Sequence, residues 1–91
     1  MNTATFSVDV ETDDIALRVF IQRRDLPRQR NFKHNPETVA LNAADKWFAA
    51  TTKRIAAAWG DDAPVATATL IVKVVNWEDC TTTRYEYTRE V

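Results

Sequence analysis

IALRVFIQ, Ile15 to Gln22, is the stretch on which the fold turns. Ile15, Leu17, Val19 and Ile21 alternate with Ala16, Arg18, Phe20 and Gln22. Side chains two apart share one face of a strand, so this period predicts a strand with one apolar and one mixed face. The preceding residues carry the same signal, with Phe6, Val8 and Val10 alternating with Ser7, Asp9 and Glu11. Between the two runs, Glu11-Thr12-Asp13-Asp14 is turn chemistry, because Asp side chains can bond their own backbone. Two strands joined by so short a connection predict a hairpin.

Outward from this stretch the chain reads QRRDLPRQRNFKHNPET, Gln22 to Thr38, where Pro27 argues against regular structure. Its end starts a helix: Asn35 can accept from free N–H groups as an N-cap, and Pro36 tolerates the first helical position. The Ala-rich run then continues to Trp59 and meets Gly60, the only glycine, which suits a helix end because left-handed backbone costs it little. At 100° per residue, Leu41, Ala44, Phe48, Thr51, Ile55, Ala58 and Trp59 share one face. Asn42, Lys46 and Lys53 lie opposite, with Trp47 on the flank. Asp61-Asp62-Ala63-Pro64 breaks the chain. Period two returns with Ala66, Ala68, Leu70, Val72 and Val74 inward and Thr67, Thr69, Ile71, Lys73, Val75 and Trp77 outward. After a turn at Glu78-Asp79-Cys80, Thr83, Tyr85, Tyr87 and Arg89 alternate with Arg84, Glu86, Thr88 and Glu90. The expected organisation is β-β-α-β-β over a single domain, residues 1–91. It is an α+β fold with a four-stranded antiparallel sheet and one long helix packed on one face.

The chemistry of a catalyst is missing from the sequence. One His (His34) and one Cys (Cys80) offer no multi-ligand metal cluster, and a single glycine cannot build a phosphate-cradling loop. The acidic pairs Asp13-Asp14, Asp61-Asp62 and Glu78-Asp79 all fall at predicted turns, where carboxylates are usually solvated caps. The expectation is a protein that is not an enzyme and uses no metal or cofactor. The start of the chain shows no basic segment followed by an apolar one, and no apolar run approaches a membrane span. Together with a cysteine that has no internal partner, this predicts a cytoplasmic protein with no membrane contact.

Charge is distributed unevenly. Residues 22–34 hold Arg23, Arg24, Arg28, Arg30 and Lys33 against Asp25 alone, a balance of +4 in a chain of net charge −1. The remainder therefore sums to −5, and Asp9, Glu11, Asp13 and Asp14 crowd the first seventeen residues. Such a bipolar molecule can orient on a charged partner that its net charge would not attract. The sheet face away from the helix is the second candidate surface, expected to carry Arg18, Phe20, Ile71, Lys73, Val75 and Trp77. Exposed Trp beside Arg is the usual chemistry of interface hot spots. The candidate partner-binding residues are thus Arg23, Arg24, Arg28, Arg30, Lys33, Phe20 and Trp77.

In size and organisation the whole chain resembles the small accessory proteins of bacteriophages and mobile elements, anti-CRISPR proteins and other host-takeover inhibitors among them. No motif carries individual residues across. The resemblance implies stoichiometric inhibition by covering a surface of a larger complex. Three readings follow: a protein-binding module whose partner has an acidic surface, a nucleic-acid-binding domain using the basic loop, or a homodimer packed through its open sheet face. A pI near 5.7 weighs against the second.

Overall fold

Residues 15–22 form a helix. The computed structural model describes residues 1–91, and its elements are β1 (Asn2–Glu11), α1 (Ile15–Gln22), β2 (Arg30–Phe32), α2 (Pro36–Trp59), β3 (Thr67–Asn76) and β4 (Thr81–Glu90). A short 3-10 turn, Gly60–Asp62, follows α2. The four strands form one antiparallel sheet in the order β2-β1-β3-β4. The α+β class therefore stands, with four antiparallel strands and one long helix. The second strand lies elsewhere than expected: it is the three residues Arg30–Phe32, pairing with Asn2–Ala4.

The cause of that difference is local. Asp14 sits in extended backbone as an N-cap, and its carboxylate accepts from the Leu17 N–H at 2.8 Å. Capping of this kind supplies one of the donors a helix start leaves unmade. Leu17 and Ile21, which share a strand face by period two, also share a helix face by the four-residue spacing. Both are fully buried, while Ile15 and Val19 of the same alternating set are exposed. Arg18 Nη2 ties back to the Thr12 carbonyl at 2.7 Å, closing the turn.

α2 begins and ends as expected. Asn35 accepts from the Glu37 and Thr38 N–H groups, Pro36 opens the helix, and Gly60 follows it at φ 66. Its buried face is rotated from the expected one. Val39, Ala40, Ala44, Trp47, Phe48, Thr51 and Ile55 are buried, and Leu41 is exposed. Trp47 goes inward because its indole N–H finds an acceptor there, the Asp25 carbonyl at 3.2 Å. A buried Trp needs such a partner.

β3 is the spine of the sheet, paired along its full length with β1 on one side and β4 on the other. The register places Ala4, Phe6, Val8 and Val10 of β1 beside Val74, Val72, Leu70 and Ala68 of β3, and these beside Thr83, Tyr85, Tyr87 and Arg89 of β4. This is the face both helices cover, and the apolar members of it join one core cluster with Leu17, Ile21, Trp47, Phe48 and Ile55. No helix is long and apolar enough to cross a membrane.

The opposite face carries Ile71, Lys73 and Val75 as expected, with Val75 in the row Thr3–Val75–Thr82, but its other members are polar. Rows across it read Thr5–Lys73–Arg84, Ser7–Ile71–Glu86 and Asp9–Thr69–Thr88. Arg18 and Phe20 are not on it, because α1 is a helix on the other side. Ile71 is only 6% exposed between its neighbours. Trp77 lies just past the end of β3, 60% exposed, with its indole N–H donating to Thr3 Oγ1 at 2.8 Å. Thr3 Oγ1 in turn bonds Asn31 Oδ1 of β2 at 2.8 Å.

Candidate functional site

Three shallow clefts open on the helix side, where α1, the 23–29 connector and α2 meet. The first, ≈ 480 Å³, has Ala16, Val19, Phe20 and Trp59 as its apolar wall and Arg23, Arg24, Arg54 and Asp25 at its rim. The second, ≈ 590 Å³, lies over Phe20, Ala50, Ala57 and Ala58, bordered by Lys53 and Arg54. The third, ≈ 310 Å³, runs under Leu26 and Pro27 against Phe6, Trp47, Ala43 and Ala50, with Arg24, Arg30 and Lys46 around it. Phe20 and Arg54 are shared by the first two, Ala50 by the second and third, and Arg24 and Asp25 by the first and third. They form one continuous groove.

Local sequence explains its shape. Along α2, Lys46, Ala50, Lys53, Arg54, Ala57 and Ala58 fall on one side by the three- and four-residue spacing. The alanines leave a low floor, and the long cations stand at its edges. Phe20 from α1 meets Trp59 edge to face, with ring centroids 5.0 Å apart, which ties the end of α2 to α1. Beyond α1, Trp47 holds the connector by its bond to the Asp25 carbonyl, and Arg30 points to the helix side because β2 pairs it with Ala4.

Six cations, Arg23, Arg24, Arg30, Lys46, Lys53 and Arg54, thus border the groove against the single carboxylate of Asp25. None of the six is in an ion pair. The molecule's ion pairs lie elsewhere: Arg89–Asp45 at 2.6 Å, Arg84–Glu86 at 2.6 Å, and the Met1 amino group with Glu78 at 3.7 Å. Arg24 Nε is buried with no acceptor, a state that proteins seldom leave unfilled. Such a rim can bind carboxylates or phosphates, since guanidinium groups present fixed forks of donors. No group of three or more His, Cys, Asp or Glu side chains is placed to hold a metal ion.

The expected site residues divide. Phe20, Arg23, Arg24 and Arg30 come together on the groove. Arg28 is exposed on the connector and borders none of its three clefts. Lys33 lies at the far end of the sheet, in a polar depression with Met1, Asn2, Asn76 and Glu78, and Trp77 is at that same end. Arg23 to Lys33 is therefore not one arm but two separated surfaces. Lys46, Lys53, Arg54 and Trp59 complete the groove, and the basic stretch gives no hint of them. The signal for them was the row Lys46-Lys53-Arg54 interleaved with alanines, which reads in isolation as an ordinary solvated helix face.

Two titratable groups depart from their ordinary behaviour, both away from the groove. The Thr81 hydroxyl and N–H donate to the Asp79 carboxylate in the β3–β4 turn and hold its pKa below the usual range. Partial burial pushes the Tyr87 phenol up, with Glu37 adding to the effect. Neither a family model, nor a curated protein, nor a solved structure matches the chain.

Proposed function

We propose that this protein is a non-catalytic docking module whose helix-side groove receives an acidic segment of a partner protein. The observation that carries the reading is the set of six cations with no ion-pair partner, standing around an apolar floor. Charge would orient the segment, and apolar residues interspersed in it would fill the wall of Phe20, Val19 and Trp59. Desolvated contact of this kind supplies affinity, while rim charges set the approach rate and the choice of partner. Bound one to one over a surface of a larger complex, such a module acts as a stoichiometric inhibitor, in the manner of the phage and mobile-element accessory proteins it resembles in size.

Nucleic acid is the competing occupant, and the placement of aromatics disfavours it. Base stacking needs exposed ring faces along a basic track. Phe20 is engaged with Trp59, and Trp77 lies at the other end of the sheet. The test is a titration of a fluorescent acidic peptide carrying Leu and Phe, beside a single-stranded oligonucleotide of matched charge, over a salt series. Tighter binding of the peptide, weakened at least about tenfold by Arg23→Glu with Arg54→Glu and unaffected by Arg84→Ala, is the expected result. Tighter binding of the oligonucleotide, with a salt slope tracking the number of neutralised phosphates, would transfer the groove to nucleic acid.

A further inference from the structure

β4 closes one side of the sheet with nothing beyond it. It runs ten residues, TTTRYEYTRE, in unbroken register with β3. Proteins usually blunt such an edge with Pro, Lys, a bulge or a covering loop, because its free N–H and C=O groups template pairing with another chain. β4 has no Pro, no Lys and no bulge, and the two charges in the middle of its open face, Arg84 and Glu86, are of opposite sign. The Val91 N–H bonds the Ala66 carbonyl at 3.0 Å, and in an antiparallel ladder such bonded positions alternate. The odd residues of β4 therefore face β3, and Thr82, Arg84, Glu86, Thr88 and Glu90 direct their backbone groups to the open edge.

From this we infer that β4 pairs antiparallel with β4 of a second copy of this chain, making one continuous eight-stranded sheet about a two-fold axis at Tyr85. The axis must stand normal to the sheet, so each face stays on its own side and facing residues share parity. Arg84 then lies opposite Glu86 of the second copy, and Glu86 opposite its Arg84, which turns the ion pair already inside each strand into an alternating four-charge cluster. Thr82 faces Thr88, and on the helix side Tyr85 meets Tyr85 while Thr83 faces Tyr87. No like charges oppose each other, as a two-fold interface requires of a self-complementary strand. About eight N–H···O bonds form between the copies. A register centred on Glu86 would set that carboxylate against itself. One centred on Tyr87 pairs Arg84 with Glu90 but leaves Glu86 facing Thr88, which breaks the four-charge cluster.

Two further features agree. Leu41 is 41% exposed on α2, between Glu37 and Asp45, the two helix carboxylates felt by the Tyr87 phenol, so it flanks β4 where a second copy would cover it. At the sheet's other edge β2 is only three residues long, and the part of β1 left free beyond Ala4 is bordered by Asp9, Glu11, Asp13 and Asp14 and would crowd carboxylates on self-pairing. The pairing leaves the basic groove open on each copy, because no residue of β4 lines any of its three clefts. It is independent of what the groove binds.

Light scattering across a concentration series up to about 1 mM is the first test. A rise from 10.4 kDa to twice that mass is expected, and a monomer's mass throughout overturns the inference. Glu86→Arg should weaken association at least about tenfold, and Arg84→Glu combined with Glu86→Arg should restore it; a weakened single variant that the swap does not restore counts against the pairing. Circular dichroism should show both variants, altered only at exposed positions, still folded. The native Cys80, exposed in the β3–β4 turn, gives a second readout. Spin labels on the two copies should lie roughly 34 Å apart, ten residues along the strand, in the Tyr85 register. A separation of about 40 or 47 Å would place the axis at Glu86 or Tyr87 and refute this arrangement.

Discussion

At the scale of single residues, the clearest positions are those where one group conflicts with its surroundings. Thr51 is fully buried on the core face of α2, and its hydroxyl has no hydrogen-bond partner. An unmade buried hydroxyl costs more than it returns, so Thr51→Val, which keeps the shape, should raise stability by about 1 kcal/mol in denaturant titration. Gly60 is the reverse case. A Cβ there would meet nothing within 4 Å, yet the backbone sits at φ 66 and ψ −143, a region nearly closed to other residues. Gly60→Ala should therefore lose about 1–2 kcal/mol through backbone strain alone. Tyr87 reports on pH. Its pKa is raised mainly by burial, so the folded state holds the proton more tightly than the unfolded chain. Stability attached to this phenol is complete below its ordinary value near 10 and is lost as pH rises through the folded value. Thermal melts of the wild type should fall on the alkaline side more steeply than those of Tyr87→Phe.

Among the elements, α1 decided the difference between the expected and the observed chain path. Alternation at Ile15, Leu17, Val19 and Ile21 is compatible with a strand, but half of that set, Leu17 and Ile21, equally satisfies one turn of helix. Eight residues are too few for periodicity to choose. The cap at Asp14 and the burial of Leu17 and Ile21 against the sheet choose it instead. Asp14→Ala should cost about 1 kcal/mol, and Leu17→Ala about 2–5 kcal/mol, both measured by chemical denaturation. Ile15→Ala, at a position 77% exposed, should change stability by less than about 0.5 kcal/mol. A strand reading would have made Ile15 and Leu17 equivalent. By contrast, β3, β4 and the limits of α2 were legible, because each is long and its end residues, Asn35, Pro36 and Gly60, have specific backbone roles. β2 was hidden: Arg30-Asn31-Phe32 is too short to show a period, and only its register with Asn2–Ala4 makes it a strand.

Over the whole molecule, positive charge gathers where helices meet and negative charge gathers at the turns. Asp9, Glu11, Asp13 and Asp14 follow one another through the end of β1, and the α2–β3 connection that carries Asp61 and Asp62 ends at Val65, whose carbonyl accepts from Thr12 Oγ1 at 2.9 Å. These six acids thus lie at the end opposite to Lys33, Trp77 and the acidic turn Glu78-Asp79. Six mutually repelling cations around the groove are a cost to the folded state, which selection for stability alone would not maintain. Lys53→Gln and Arg54→Gln should accordingly leave thermal stability unchanged or slightly raised while peptide binding falls. Loss of stability together with binding would mean that these side chains serve the fold.

What the sequence determined by itself was the class of fold, the span of the long helix, the inward face of β3 and the uneven charge, since each follows from periods and caps written within a few consecutive residues. What only the tertiary structure decided was the helical state of Ile15–Gln22, the rotation of α2 that buries Trp47, and the membership of the groove. Those depend on groups distant in the chain: the Asp25 carbonyl that receives the Trp47 indole, the Trp59 ring that meets Phe20, and the Lys46, Lys53 and Arg54 row that packing sets beside Arg23 and Arg24. Local sequence specifies what each segment can be, and the contacts made between segments select among those states.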